Sequence, residues 1–246
     1  MAELTRTRSI RLDRGPGRVD PVTGDSGPLG GVDSLPGHYD GPRAAERVLI
    51  LAPGAGAPHT SAFMTRIAAG IADAGVGVLR FSFPYQARAK KAPDRAAILD
   101  SAWRRVFGYT RARHPDAVIV IGGKSMGGRY ATHLLAANHR DLSGDASGGV
   151  LFGYPLHRPG SADDPASRRD AHLGDIAVPL LFFGGTRDSL ARIDLMEKTV
   201  ASLDNAELIA YDEASHDFAV PKRTGTTRDV IIDDMAARTA AWIRRL

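Results

Sequence analysis

A run of four β-branched residues, Val118 to Ile121, passes directly into Gly122-Gly123-Lys124-Ser125-Met126-Gly127-Gly128 and then into a stretch carrying Tyr130, Leu134 and Leu135. A short apolar run rich in β-branched residues reads as a strand buried on both faces. The stretch after it reads as a helix, so the glycines and the serine must make a strand-to-helix turn with no residues to spare. In so sharp a turn the serine takes a strained backbone conformation, and small residues two before and two after it keep strand and helix from colliding. Gly123 and Gly127 occupy those places. The Ser125 hydroxyl then stands at the carboxyl end of a sheet, above a helix N-terminus whose free amides favour developing negative charge.

Two other readings compete for these residues. Gly123-Lys124-Ser125 looks like the end of a phosphate-binding loop, but that motif needs glycine five positions before Gly123, and Val118 stands there inside the apolar run. Glycines also serve simply to let a strand and a helix approach. The serine motif therefore gains weight only if a base and an acid follow it at suitable places.

They do. The strands expected at Val48 to Ala52, Val76 to Phe81, Ala117 to Gly122, Gly149 to Phe152, Val178 to Phe183 and Glu207 to Tyr211 alternate with amphipathic segments, the pattern of a mostly parallel sheet covered by helices. The clearest helix is expected from Asp94 to about Arg113, with Leu99, Trp103 and Phe107 on one stripe; a second, near the C-terminus, carries Ile231, Met235, Trp242 and Leu246. Asp188 follows the strand that ends near Phe183, and His216 follows the last strand. In that order Ser125 is the candidate nucleophile, Asp188 the acid and His216 the base, with imidazole taking the serine proton while the carboxylate fixes its tautomer. Asp212, Asp217 and Asp194 are the substitutes for the acid. His157, His172 and His59 are weaker candidates for the base, since none follows the last strand. Ala55, in the small-residue loop after the early strand, and Met126 are the candidate backbone donors of an oxyanion hole. Tyr85, Tyr154, Leu156 and His157 follow strand ends and are expected to rim the carboxyl-edge crevice as possible substrate-binding residues.

The remainder of the chain bounds the answer. At 246 residues, 43% hydrophobic and 24% charged, it fits one globular α/β domain spanning 46–246, preceded by an extension over 1–45. That extension holds a possible strand at Thr7 to Leu12 and a Gly/Pro-rich stretch, 14–45, that reads as loop. The chain has no cysteine, so disulfides, thiolate metal sites and a cysteine nucleophile are excluded, and no metal or cofactor is called for. The N-terminus has no apolar signal core, and no apolar run approaches the roughly 18 residues of a membrane span, so a cytoplasmic protein with no membrane partner is expected. Net charge is +4 without a basic tail, and the densest cluster, Arg88, Lys90, Lys91 and Arg95, reads as a solvated surface, so no nucleic-acid partner is expected. Oligomeric state is left open.

Several segments taken together resemble the dienelactone-hydrolase-like branch of the α/β hydrolases, and within it small bacterial proteins related to the hydrolase-like domain of non-specific-lethal complex subunits. They are Ala52-Pro53-Gly54-Ala55-Gly56, Phe83-Pro84-Tyr85 with Pro93-Asp94-Arg95, Gly123 to Arg129, Gly153-Tyr154-Pro155-Leu156-His157, Gly184 to Asp188 and Ser215 to Phe218. The resemblance runs from about Arg47 to the C-terminus; Pro53 stands where relatives commonly carry histidine. It implies an α/β-hydrolase fold with a mostly parallel central sheet and helices on both faces; no segment between Gly128 and Pro179 is long enough for a large helical lid, though Ser161 to Gly174 could form a small one. It also implies a Ser125, Asp188, His216 triad served by Ala55 and Met126. The function expected is a serine esterase that cleaves a small-molecule acyl substrate, a carboxylic ester or lactone, through an acyl-enzyme. The alternatives are a catalytically silent interaction module of the same fold, and a nucleotide or nucleic-acid binder motivated by Gly-Lys-Ser.

Overall fold

The computed structural model describes residues 7–13, 32, 34–136 and 146–246. Eight strands form one sheet: β1 (Arg8–Asp13), β2 (Ser34–Asp40), β3 (Arg47–Ala52), β4 (Gly77–Phe81), β5 (Val118–Lys124), β6 (Ala146–Phe152), β7 (Leu180–Gly185) and β8 (Ala206–Tyr211). Their spatial order is β1-β2-β4-β3-β5-β6-β7-β8. From β4 to β8 every pairing is parallel, whereas β2 lies antiparallel to both β1 and β4. The sheet is open, with helices on both faces.

The helices are α1 (Ala62–Asp73), the single turn α2 (Pro84–Ala87), α3 (Ala96–Arg113), α4 (Met126–Leu135), α5 (Ile193–Ala201) and α6 (Arg228–Ile243). Two apolar layers result. On one face Leu99, Trp103, Phe107, Leu134 and Phe182 share a buried cluster; on the other Phe63, Ile67, Phe152, Phe183, Phe218, Met235 and Trp242 do. The stripe expected on α3 is thus buried, although the helix begins at Ala96, two residues after Asp94, whose carboxylate takes the Arg88 guanidinium instead. Leu246 lies past the end of α6 and still packs against the second cluster.

One expectation is corrected. The stretch 14–45 was read as loop, yet β2 occupies residues 34–40 of it and, with β1, extends the main sheet. Residues 14–31 and 33 lie outside the described residues. Proline lacks a ladder donor and glycine has no side chain to pack, so Pro36 and Gly37 are unusual strand residues. Here Pro36 uses its carbonyl, which accepts the Ser82 N–H at 3.0 Å. Gly37 is needed for close approach, since a Cβ there would stand 2.8 Å from the Arg80 carbonyl oxygen of β4.

What ties β2 to the rest is a buried ion pair. The Arg80 Nε donates to Asp40 Oδ2 at 2.7 Å, and the two side chains are 2% and 4% exposed. Arg80 also donates to the His59 carbonyl at 2.8 Å and to Thr65 Oγ1 at 3.1 Å, while Thr7 Oγ1 donates to Asp40 Oδ1 at 2.6 Å. His59 continues the network: its Nδ1 lies 2.7 Å from Ser82 Oγ and its Nε2 2.7 Å from His38 Nδ1. Burial, with the neighbouring His38 and Arg80 charges, pushes the His59 pKa down from 6.5 to about 4, against a smaller opposing effect of Asp40.

Two outcomes follow from this network. Removing one partner of a buried pair strands the other charge, so Asp40→Ala should lower the unfolding free energy in urea by about 3–5 kcal/mol, with much of it restored when Arg80→Met is added. His59 is neutral when folded, so below pH 6.5 the unfolded chain binds the proton first, and stability is lost as pH falls from 6.5 towards about 4. His172 is pushed down to about 4 as well, chiefly by burial. Thermal melts of His59→Gln across this range should therefore show a shallower acid-side decline than wild type, with a His172 contribution remaining; an unchanged slope would contradict the assignment.

Candidate active site

The turn between β5 and α4 places Ser125 at φ 49°, ψ −114°, a conformation an L-residue adopts only when the surroundings over-determine it. Those surroundings are explicit. The Ser125 N–H donates to the Phe152 carbonyl of β6 at 2.9 Å, and the Ser125 carbonyl accepts the Arg129 N–H at 3.0 Å. A Cβ at Gly123 would stand 2.4 Å from the Ala52 oxygen and 2.8 Å from the Gly127 carbonyl carbon, and one at Gly127 would stand 2.4 Å from the Ala52 oxygen. Both glycines are therefore required by contact with the neighbouring strand and between strand and helix, as the sequence expected.

Three side chains converge on the turn. Ser125 Oγ lies 2.9 Å from His216 Nε2, and His216 Nδ1 lies 2.8 Å from Asp188 Oδ2. Asp188 is supplied by the loop after β7 and His216 by the loop after β8. The Asp188 side chain is 1% exposed and that of His216 19%. Asp188 Oδ1 accepts the Leu190 N–H at 2.7 Å, so both carboxylate oxygens are engaged. With the carboxylate as acceptor, Nδ1 must carry the proton and Nε2 is left to accept from the serine hydroxyl, which is the tautomer general-base chemistry needs. This chain of hydrogen bonds spans 91 residues of sequence on one side and 28 on the other.

The substitutes are occupied elsewhere. Asp212 Oδ1 accepts from Thr186 at 3.1 Å, Asp194 pairs with Arg192 at 2.7 Å, and Asp217, 76% exposed, lies 3.7 Å from Lys124 Nζ. His172 bonds Thr132 at 2.8 Å and stacks on His133, and His59 serves the network at β2.

The loop after β3 runs beside the serine. A Cβ at Gly54 would lie 3.6 Å from Ser125 Cβ, so the backbone of this loop borders the hydroxyl. Within it the Ala57 N–H goes to the Gly54 carbonyl at 3.2 Å and the Gly56 N–H to the Tyr85 hydroxyl at 3.0 Å; neither bond uses the Ala55 N–H. Met126 is the first residue of α4, where backbone N–H groups have no intrahelical acceptor.

The four residues expected to rim the crevice are placed differently. Tyr85, Tyr154, Leu156 and His157 are at most 2% exposed. Tyr85 holds the Gly56 N–H, Tyr154 donates to the Arg169 carbonyl at 2.6 Å, and His157 accepts the Arg192 N–H at 2.9 Å. Strand-end position alone set the expectation; burial and backbone partners make these side chains supports of the surrounding loops. The Ser161 to Gly174 segment, considered for a lid, contains a short 3₁₀ turn at Pro165–Ser167 and the start of another at Leu173–Asp175. Among the described residues no helix is long and apolar enough to cross a membrane.

Lys124 had drawn notice only through the phosphate-loop comparison. It is buried beside Ser125, with Nζ donating to the His216 carbonyl at 2.8 Å. The available signal was a cationic side chain embedded in an otherwise apolar and glycine run.

Comparison with known proteins accords with this geometry. A family model described as an alpha/beta hydrolase domain matches residues 45–244. A dienelactone hydrolase from Anabaena variabilis superposes with a TM-score of 0.68 at 19% identity, covering 98% of each chain. A protein from Xanthomonas campestris, described as a serine hydrolase without lid, gives 0.65 at 18% identity, covering 95% of this chain and 94% of that one. An esterase domain from Rhodothermus marinus gives 0.65 at 15% identity over 98% and 99%. With most of its length matched by the family model and its sheet shared with these structures, the chain belongs to the α/β-hydrolase family and has a fold of the dienelactone-hydrolase kind.

Proposed function

We propose that this protein is a serine esterase that cleaves a small carboxylic ester or similar acyl substrate through an acyl-enzyme. The observation that carries the reading is the hydrogen-bond chain from Ser125 through His216 to Asp188, at 2.9 and 2.8 Å, assembled from three loops at one edge of the sheet. His216 Nε2 takes the hydroxyl proton as Ser125 Oγ forms its bond to the acyl carbon. The carbonyl oxygen becomes an oxyanion facing the Ala55 and Met126 amides. Collapse breaks the bond to the leaving alkoxide, which takes the proton from the imidazolium and departs as an alcohol. Water then repeats the sequence on the acyl-enzyme, its proton passing to His216 and back to Ser125 as the acid leaves. Asp188 holds the imidazole in the required tautomer and stabilises its charged form.

A compact substrate is favoured by the crossover between β6 and β7, residues 153–179, which carries 3₁₀ turns in place of a helical lid. Neighbours in fold space include a dienelactone hydrolase and esterases, which supports the same chemical class. Nothing in this route calls for a metal or organic cofactor.

Labelling with a fluorophosphonate probe and hydrolysis of p-nitrophenyl acetate test the proposal. Wild type should react in both assays, and Ser125→Ala in neither. Asp188→Asn, which preserves shape but favours the wrong tautomer, should lower kcat by about 10⁴-fold. A wild-type protein that is folded yet inert to the probe would end this reading.

A further inference from the structure

Lys124 closes β5 immediately before Ser125, and the reaction above gives it no task. Its side chain is 8% exposed. Burial, the largest influence, lowers its pKa from 10.5 to about 8, against the opposing pull of Asp217 and Asp188 and with a smaller lowering from Arg228. A buried ammonium in this state disfavours folding, and an apolar side chain of similar length would fill the space without that penalty. The lysine is a liability to the fold, which directs attention to what its cation touches.

It touches the backbone that carries the imidazole. Nζ donates to the His216 carbonyl at 2.8 Å, lies 3.7 Å from Asp217 Oδ1 and stands 5.6 Å from the centre of the Phe218 ring. Three consecutive residues of the loop after β8 are thus held by one ammonium. The charged and titratable groups around it come from every neighbouring element: His216 and Asp217 from that loop, Asp188 from the loop after β7, and Arg228 from the start of α6. Arg228 in turn fixes the Asp217 carbonyl at 2.7 Å. The fit is close. A Cβ on Gly153, at φ 60°, would stand 3.1 Å from Nζ, 3.2 Å from the His216 oxygen and 3.5 Å from His216 Cε1. Ammonium, carbonyl and imidazole therefore crowd the Gly153 backbone so closely that even a methyl group would press on them.

We propose that Lys124 is a positioning residue for the base: its ammonium clamps the His216 carbonyl and so holds the imidazole on the Ser125 hydroxyl. The proposal rests on the reading of Ser125 and His216 as nucleophile and base. Because Lys124 and Ser125 are adjacent, the clamp ties the base to the same rigid turn that carries the nucleophile, across 92 residues of sequence. A hydrogen bond to a charged donor is shorter and stronger than a neutral one, so the clamp is firmest while the lysine is protonated.

The test compares wild type, Lys124→Met and Lys124→Arg in three measurements: melting temperature, rate of fluorophosphonate labelling, and kcat and KM on p-nitrophenyl acetate from about pH 6 to pH 10. Lys124→Met should melt no lower than wild type, yet show kcat and labelling rate reduced by about ten- to hundredfold with KM little changed, the cost of a misplaced catalytic group. Wild-type kcat should decline as pH passes about 8, where the clamp loses its charge, and this limb should be missing in Lys124→Met. If Lys124→Met does not fold, Lys124→Arg carries the comparison, since its cation persists and its kcat should stay level through the same range. Wild-type kcat and labelling in Lys124→Met, or no wild-type decline near pH 8, would overturn the proposal. Failure of wild type itself to label is a separate result, which removes the hydrolase reading and this proposal together.

Discussion

The backbone of Ser125 is the constraint on which the rest of the site depends. Holding an L-residue at φ 49°, ψ −114° costs on the order of 1–3 kcal/mol, and the turn persists because strand, helix and neighbouring strand leave it no alternative. The amide is committed to β6 and the carbonyl to the first turn of α4. Gly123 and Gly127 press against the end of β3, so the loop that follows β3 is placed by the same contacts that strain the serine. Candidate nucleophile and candidate oxyanion loop are in this sense one packing unit, and a change at either glycine would displace both.

The candidate base arrives by different means. His216 sits on a loop in which Glu213 and Phe218 also have positive φ, at 57° and 60°. Phe218 is fully buried, its ring 6.1 Å from that of Phe63 and 6.3 Å from that of Tyr211, so an aromatic anchor sits two residues beyond the imidazole. Backbone bonds from Ser215 N–H to Ala219 at 2.9 Å and from Phe218 N–H to Ser215 at 2.8 Å close the loop on itself. Precision at the imidazole is thus obtained from a short, internally bonded loop nailed to the core.

How much of this was legible in the sequence depended on whether the determining contact was local. The turn at Ser125 was readable because strand, glycines and helix are contiguous, from Val118 to Leu135, and each is required by the others. Asp188 and His216 were readable from their order along an alternating pattern. β2 was not, because Pro36 and Gly37 carry the marks of a loop until Arg80 is seen to approach Gly37 and Asp40 to pair with that same arginine. The burial of Tyr85, Tyr154 and His157 was not readable either, since the groups they bond, the Gly56 amide, the Arg169 carbonyl and the Arg192 amide, lie 15 to 35 residues away. Burial of a polar side chain is decided by such distant partners, and no spacing rule reports them.

The two ends of the Ser125–His216–Asp188 chain differ in a way that bears on its chemistry. The Asp188 side chain is 1% exposed and saturated by His216 and the Leu190 amide, whereas the His216 side chain is 19% exposed. A carboxylate sealed from water acts on its neighbour through a weakly screened medium, so its attraction for a charged imidazole is larger than a solvated aspartate would provide. In the proposed reaction the imidazole exchanges a proton with the serine, the departing alcohol and water, and so needs access that the carboxylate lacks. Under that proposal, a buried fixed charge beside a partly exposed imidazole places stabilisation where charge would accumulate, without closing the route by which a proton would leave.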